Sequence, residues 1–222
     1  MLHPSAITFL KDLKKNNNKP WFDANRKIYE TAKQNFAAFV EALIKKHSVK
    51  DHSIAHLTTK ECMFRINRDV RFSKDKSPYK TNFGASINSG GKKSLTGGYY
   101  FHLEPGACFV GGGMYMPMPE ELKKLRQEID YNFADFKKII SSKKFKTVYG
   151  DLNKSAEYTL SRVPKSYEAD NPAAEYLKLK SYVAMVKFSD ADLTSKELVK
   201  KTVAAFEALQ PLLVFLNKAI TD

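Results

Sequence analysis

Gly98-Tyr99-Tyr100-Phe101-His102-Leu103-Glu104, then Pro105-Gly106, then Ala107-Cys108-Phe109-Val110-Gly111-Gly112-Gly113-Met114-Tyr115-Met116: this stretch decides the fold. In its first part Tyr99, Phe101 and Leu103 alternate with Tyr100, His102 and Glu104, the period of a half-buried strand with one apolar and one polar face. Pro105-Gly106 is turn chemistry, so the chain doubles back into a further strand from Ala107 to about Met116. Upstream, Asn82 to Asn88 alternates in the same way, with Phe83, Ala85 and Ile87 opposing Asn82, Gly84, Ser86 and Asn88. Ser89 to Ser94, with Thr96-Gly97, reads as the exposed hairpin connection. Glu61 to Asn67 also has the two-residue period, with Cys62, Phe64 and Ile66 as its apolar side. The expected product is an antiparallel sheet with one face packed on helices. The other face would carry Arg65, Asn67, Ser86, Asn88, His102 and Glu104, an inventory suited to the floor of a pocket. Three glycines within one strand mark a bulge or a backbone that another group approaches closely.

Outside the sheet the period becomes helical. Ala6, Phe9, Leu10 and Leu13 predict a helix from Ser5 to Asn17 capped by Ser5. Phe22, Tyr29, Ala32, Phe36, Phe39, Val40, Leu43 and Ile44 predict one long helix from Pro20 or Trp21 to about His47, completing an N-terminal helical hairpin. Helices are expected over Glu120 to Asp130 and Phe133 to about Lys143, with weaker strand signals at Tyr158 to Val163 and at Tyr176 to Phe188. A final helix should follow a capping box at Thr194-Ser195-Lys196-Glu197, with Pro211 kinking or dividing it. The whole reads as a single α+β domain over residues 1–222, an antiparallel sheet packed by the N-terminal hairpin and C-terminal helices.

The 222 residues carry a net charge of +13. Such a field attracts nucleic acid, anionic lipid or anionic metabolites, although scattered lysine also serves solubility alone. The N-terminus lacks the pattern of a secretory signal, and the most apolar window, Pro211 to Leu216, is too short to cross a bilayer, so a soluble cytoplasmic protein is expected. Cys62 and Cys108 read as buried hydrophobes in a reducing compartment. His52 and His56 stand four apart but lack a third convincing ligand, so no metal set is assigned, and no sequence feature names a cofactor.

Positive charge in this chain is nearly all lysine, yet Arg65, Arg68 and Arg71 fall within seven residues. The guanidinium fork grips carboxylate or phosphate in two-pronged fashion, which an ammonium does not. The segment to Thr81 adds Lys74, Lys76, Lys80, Ser73, Ser77, Tyr79 and Thr81, a set of donors suited to an anion. The candidate ligand-binding residues are therefore Arg65, Arg68, Arg71, Lys76, Tyr79 and Lys80. Trp21, Asn25 and Arg26 join them, since Trp21, Asn25 and Tyr29 share one helical face. Asp69 and His102 are the candidate proton-transfer residues, His102 with Glu104 two positions on. Each has a structural alternative: Arg68, Asp69 and Arg71 as a salt-bridge network, His102 as an ordinary polar contact, Trp21 as a packing anchor.

Phe9-Leu10 through Asn17, Trp21-Phe22-Asp23-Ala24-Asn25-Arg26, Arg65-x-x-Arg68-Asp69-x-Arg71-Phe72, and the glycine strand together resemble a widespread bacterial family, domain of unknown function 2461. The resemblance covers nearly the whole chain. It implies an intracellular α+β protein and carries over no catalytic residue. Three functions stay open on the residues. One is a pocket for a phosphorylated or carboxylated small molecule, with or without catalysis; the second is a nucleic-acid-binding module; the third is an interaction protein whose arginine motif is architectural. No membrane partner is expected.

Overall fold

The computed structural model describes residues 2–221. Four strands, β1 (Phe83–Ile87), β2 (Gly98–Leu103), β3 (Phe109–Met114) and β4 (Tyr182–Lys187), form one antiparallel sheet in the order β1-β2-β3-β4. With the helices this is an α+β fold. By internal packing the chain divides into two compact units, residues 2–92, 100–110 and 187–204 in one, and 93–99, 111–186 and 205–221 in the other.

In the first unit, α1 (Pro4–Lys15) is capped by the His3 imidazole, whose Nδ1 accepts from the Ser5 amide at 3.2 Å, so the cap lies two residues before the one expected. The long helix expected from Trp21 to His47 is two helices, α2 (Lys19–Ala24) and α3 (Arg26–His47). The break has a local cause. Asn25 leaves helical geometry (φ −105°, ψ 16°), and its side-chain amide donates to the Trp21 carbonyl at 2.9 Å, while Asn18 caps α2 by accepting from the Trp21 amide. Both helices still present one stripe, so Phe9, Phe22, Tyr29 and Phe36 gather with Phe83 of β1 into an aromatic core in which Phe36 and Phe83 lie 5.5 Å apart.

The strand expected at Glu61 to Asn67 does not form. Thr58 and Glu61 make a capping box that starts a short helix, α4 (Thr59–Cys62). The chain then runs extended, with isolated antiparallel bridges at Met63–Ala85 and Asn67–Tyr79, and Phe64 lies 38% exposed rather than on the apolar side. Asn88 is likewise buried, where the alternation had placed it on the polar face. The short helix α9 (Asp190–Thr194) carries the capping box of this region, on Ser189 and Asp192 rather than at Thr194 to Glu197.

The second unit contains α5 (Pro119–Tyr131), α6 (Phe133–Ser141), α7 (Lys143–Tyr149) and α8 (Ala174–Leu177). Leu125, Ile129, Phe136, Ile140 and Phe145 are fully buried, and Tyr176 meets the Phe136 ring edge-on at 5.0 Å. Tyr149, on the unanticipated α7, is buried and donates to the Ala205 carbonyl at 2.7 Å, and burial pushes its phenol up. In place of a strand at Tyr158 to Val163 there is a single bridge, Thr159–Leu179. The final helix, α10 (Leu198–Thr221), runs through Pro211 undivided. By length and composition α10 can cross a membrane, which the short apolar window had excluded, but half of that stretch is buried, with Phe206, Leu209, Leu212 and Leu216 inside. It is the core helix.

The glycine strand shows close approach. Gly113 has φ +125°, and a Cβ there would lie 2.0 Å from the Tyr182 carbonyl oxygen of β4. Gly113→Ala therefore combines a strained backbone with a clash against backbone that has no rotamer to yield. Its cost is expected at roughly 3–5 kcal/mol, the sum of strain and overpacking, measured as the midpoint shift in urea unfolding.

Candidate functional site

The basic loop after Arg65 closes on itself. Arg71 grips Asp69 with two prongs, Nε to Oδ1 at 2.9 Å and a terminal nitrogen to Oδ2 at 2.7 Å. Arg68 pairs with Asp75, whose other oxygen accepts from the Ser77 amide at 2.9 Å and from its hydroxyl. These Ser77 bonds first, and Arg68 second, hold the Asp75 carboxyl at about 2. Asp69 is likewise kept below the usual carboxylate range, chiefly by Arg71. Lys76 donates to the Val70 carbonyl at 3.0 Å. The guanidinium forks of Arg68 and Arg71 are thus occupied by carboxylates of the same loop, and Asp69 is committed to Arg71. At the tip Phe72 is 96% exposed, with the Arg71 guanidinium 5.8 Å from its ring centre.

Arg65 and Lys80 are placed differently. Arg65 is exposed, and neither side chain is within ion-pair distance of a carboxylate among the described residues. Lys80 has its ammonium 5.5 Å over the Phe64 ring. Burial, and after it the neighbouring Arg65 charge, pushes the Lys80 pKa down. The Arg65 charge thus reaches Lys80, and it also reaches Asp69, whose carboxyl it helps to hold down after Arg71. The chain crosses here because the Lys80 amide donates to the Ile66 carbonyl (2.8 Å) and the Arg68 amide to the Pro78 carbonyl (2.9 Å). Tyr79 between them points inward and stacks on Phe22 at 4.0 Å, so its ring belongs to the core.

Next to this pair lies the outer row of β2. His102 Nε2 is 3.2 Å from Glu104 Oε2, and Nδ1 is 3.0 Å from the Tyr100 hydroxyl. Thr81 donates to the second Glu104 oxygen at 3.1 Å, and His102 stacks on Phe109 at 4.7 Å. Burial pushes the His102 pKa down, against the upward pull of Glu104. The neutral ring has one proton. Glu104 can only accept, so the proton sits on Nε2 and bare Nδ1 accepts from Tyr100. Gly84 makes room for this phenol, since a Cβ there would lie 2.6 Å from its oxygen. Phe64 joins the two halves of the site, with Lys80 over its ring and the Tyr100 ring at 6.3 Å.

Of the residues singled out from sequence, Lys80 adjoins the row of His102 and Glu104 through Phe64, and Arg65 is exposed on the chain next to Phe64. Arg68, Arg71, Asp69 and Lys76 build the loop beside it. Trp21 stacks on Phe9 at 6.1 Å, Asn25 forms the helix junction, and Arg26 pairs with Asp23 at 2.7 Å. Tyr100, Phe109 and Asn82, whose amide nitrogen lies 3.5 Å from His102 Nδ1, were not singled out as site residues. Tyr100 has the same strand parity as His102 and Glu104, a signal present in the alternation itself.

A family model described as a conserved hypothetical protein (DUF2461) matches residues 5–215, and the chain belongs to that family. Comparison with curated proteins and with solved structures found no match.

Two outcomes follow from the titrating groups. Between its lowered folded pKa and the ordinary 6.5, His102 binds fewer protons in the folded than in the unfolded chain, so stability falls as pH drops through that window. His102→Gln should flatten the stability profile just below pH 6.5, the ordinary imidazole value, as followed by urea midpoints. Asp75→Ala leaves Arg68 and the Ser77 turn unpartnered, and trypsin cleavage within 68–76 should accelerate several-fold, with the melting temperature changed by only about 1–2 °C because the loop is exposed.

Proposed function

We propose that this protein binds a small anion, a phosphorylated or carboxylated molecule, at Arg65 and Lys80, with the His102 row beside it as acid–base equipment. The observation that carries this reading is Lys80, half-buried with its ammonium over the Phe64 ring, outside ion-pair distance of any carboxylate among the described residues, and bonded through its amide to Ile66 beside Arg65. Placing like charges together costs free energy that a bound anion recovers, and partial burial over Phe64 raises the value of each contact above that of a surface lysine. Arg68 and Arg71 act as scaffold here. Arg71 through both prongs on Asp69, and Arg68 through one bond to Asp75, stiffen the loop that continues from Arg65.

A second reading, a nucleic-acid-binding module, is favoured by one feature. Phe72 stands nearly bare at the tip of a loop with Arg71, Lys74 and Lys76 around it, the arrangement on which an unpaired base stacks.

Thermal melting in inorganic phosphate separates the two. Ligand at a hundred times its dissociation constant adds about 2.7 kcal/mol to native stability, so a saturable rise of several degrees is expected. Arg65→Ala or Lys80→Ala should abolish the rise and Arg71→Ala should preserve it. No rise in the wild type removes the small-anion reading. Steeply salt-dependent single-strand binding, lost in Phe72→Ala, supports the module instead.

A further inference from the structure

We propose that Tyr100 is the nucleophile of this site, its phenol proton taken by His102 Nδ1 while Glu104 positions the imidazole from the other side. The substrate is an anionic group donor, a small molecule with a phosphate or carboxylate for Arg65 and Lys80 and an activated ester-type centre for the phenol oxygen. Only the anionic half of this statement rests on the function proposed above. The nucleophile stands on geometry of its own.

That geometry is a triad. Hydroxyl, imidazole and carboxylate are linked at 3.0 Å and 3.2 Å, with the hydroxyl and the carboxylate on opposite ring nitrogens. A nucleophile in hydrogen-bond reach of a base that a third group orients is the pattern by which hydroxyl nucleophiles are activated. The ring is fixed from two further directions, by Phe109 against its face and by Thr81 through the second Glu104 oxygen. Glu104 is largely buried together with His102, so the imidazolium formed when the proton arrives has a carboxylate already in place. Tyr100 itself is half-buried, with its oxygen seated over Gly84, where a Cβ would lie 2.6 Å from it.

The step balances. The Tyr100 oxygen bonds to the electrophilic centre, the bond from that centre to the leaving group breaks, and the phenol proton passes to His102 Nδ1. From there it goes to the leaving group. Water reverses the sequence and frees the tyrosine.

The test is labelling of the whole protein with 4-(fluorosulfonyl)benzoate, which carries a carboxylate and an electrophilic sulfur, compared with neutral benzenesulfonyl fluoride. Attack by the phenol oxygen on sulfur expels fluoride and leaves a stable adduct that peptide mass mapping locates. Modification is expected at Tyr100, at least tenfold faster than at Tyr131, which is 79% exposed and ought to win on access alone. His102→Gln should slow both reagents at Tyr100 about a hundredfold, the usual loss for a removed general base, and Glu104→Gln, which keeps the shape, should slow them less. Arg65→Ala and Lys80→Ala should lower the rate of the anionic reagent towards that of the neutral one. Tyr100 labelling no faster than Tyr131, or indifferent to His102→Gln in a variant that melts as the wild type does, overturns the nucleophile. Fast Tyr100 labelling with equal rates for both reagents keeps the nucleophile and overturns the anion-binding reading alone.

Discussion

The amide of Asn17 holds the site in place. Its nitrogen donates to the Tyr79 carbonyl at 2.9 Å and its oxygen accepts from the Tyr79 amide at 3.1 Å, so one side chain stands in for a neighbouring strand. The segment from Phe64 to Lys80 makes only isolated bridges, and without regular ladder pairing its backbone groups need such a partner. Asn17 supplies it, and the Tyr79 ring, stacked on Phe22, drives the same point into the aromatic core. With Tyr79 anchored, Lys80 and Thr81 on one side and Arg65 on the paired chain have defined positions.

From that anchor the electrostatics divide the basic segment into two parts. Arg68 and Arg71 are neutralised within the loop, at side chains exposed enough that the pairs are screened and contribute little to global stability. Arg65 and Lys80 form no ion pair among the described residues, because the loop's two carboxylates, Asp69 and Asp75, bond Arg71 and Arg68, although the Asp69 charge still reaches Arg65. The arginine motif is therefore architecture at its far end and a candidate ligand site at its near end. Of the two functions expected of it as a whole, the salt-bridge network belongs to Arg68 and Arg71, and the anion grip we propose is left to Arg65.

The helices and the inner sheet were legible because their pattern is set by burial. Phe83, Ala85, Ile87, Tyr99, Phe101 and Leu103 all face inward as their alternation requires, and the stripe of α3 is buried along its length. The errors fall where a local bond competes with the period. Asn25 breaks a continuous stripe by bonding the Trp21 carbonyl, and the Thr58–Glu61 capping box turns the start of an alternating run into a helix. At Thr159 and Leu179 a strand-like composition finds one bridging partner and no ladder.

The sequence by itself determined the α+β class, the polar row of β2 with Tyr100, His102 and Glu104 in register, and the concentration of arginine next to it. These follow from period and composition, which act along the chain. Only the tertiary structure decided which cations lack a partner, which way Tyr79 points, and that Tyr100 meets the bare nitrogen of His102. Those depend on contacts between residues far apart in sequence, Asn17 with Tyr79 and Thr81 with Glu104, and on the exclusion of water that ranks one ion pair above another. No one-dimensional pattern encodes that ranking.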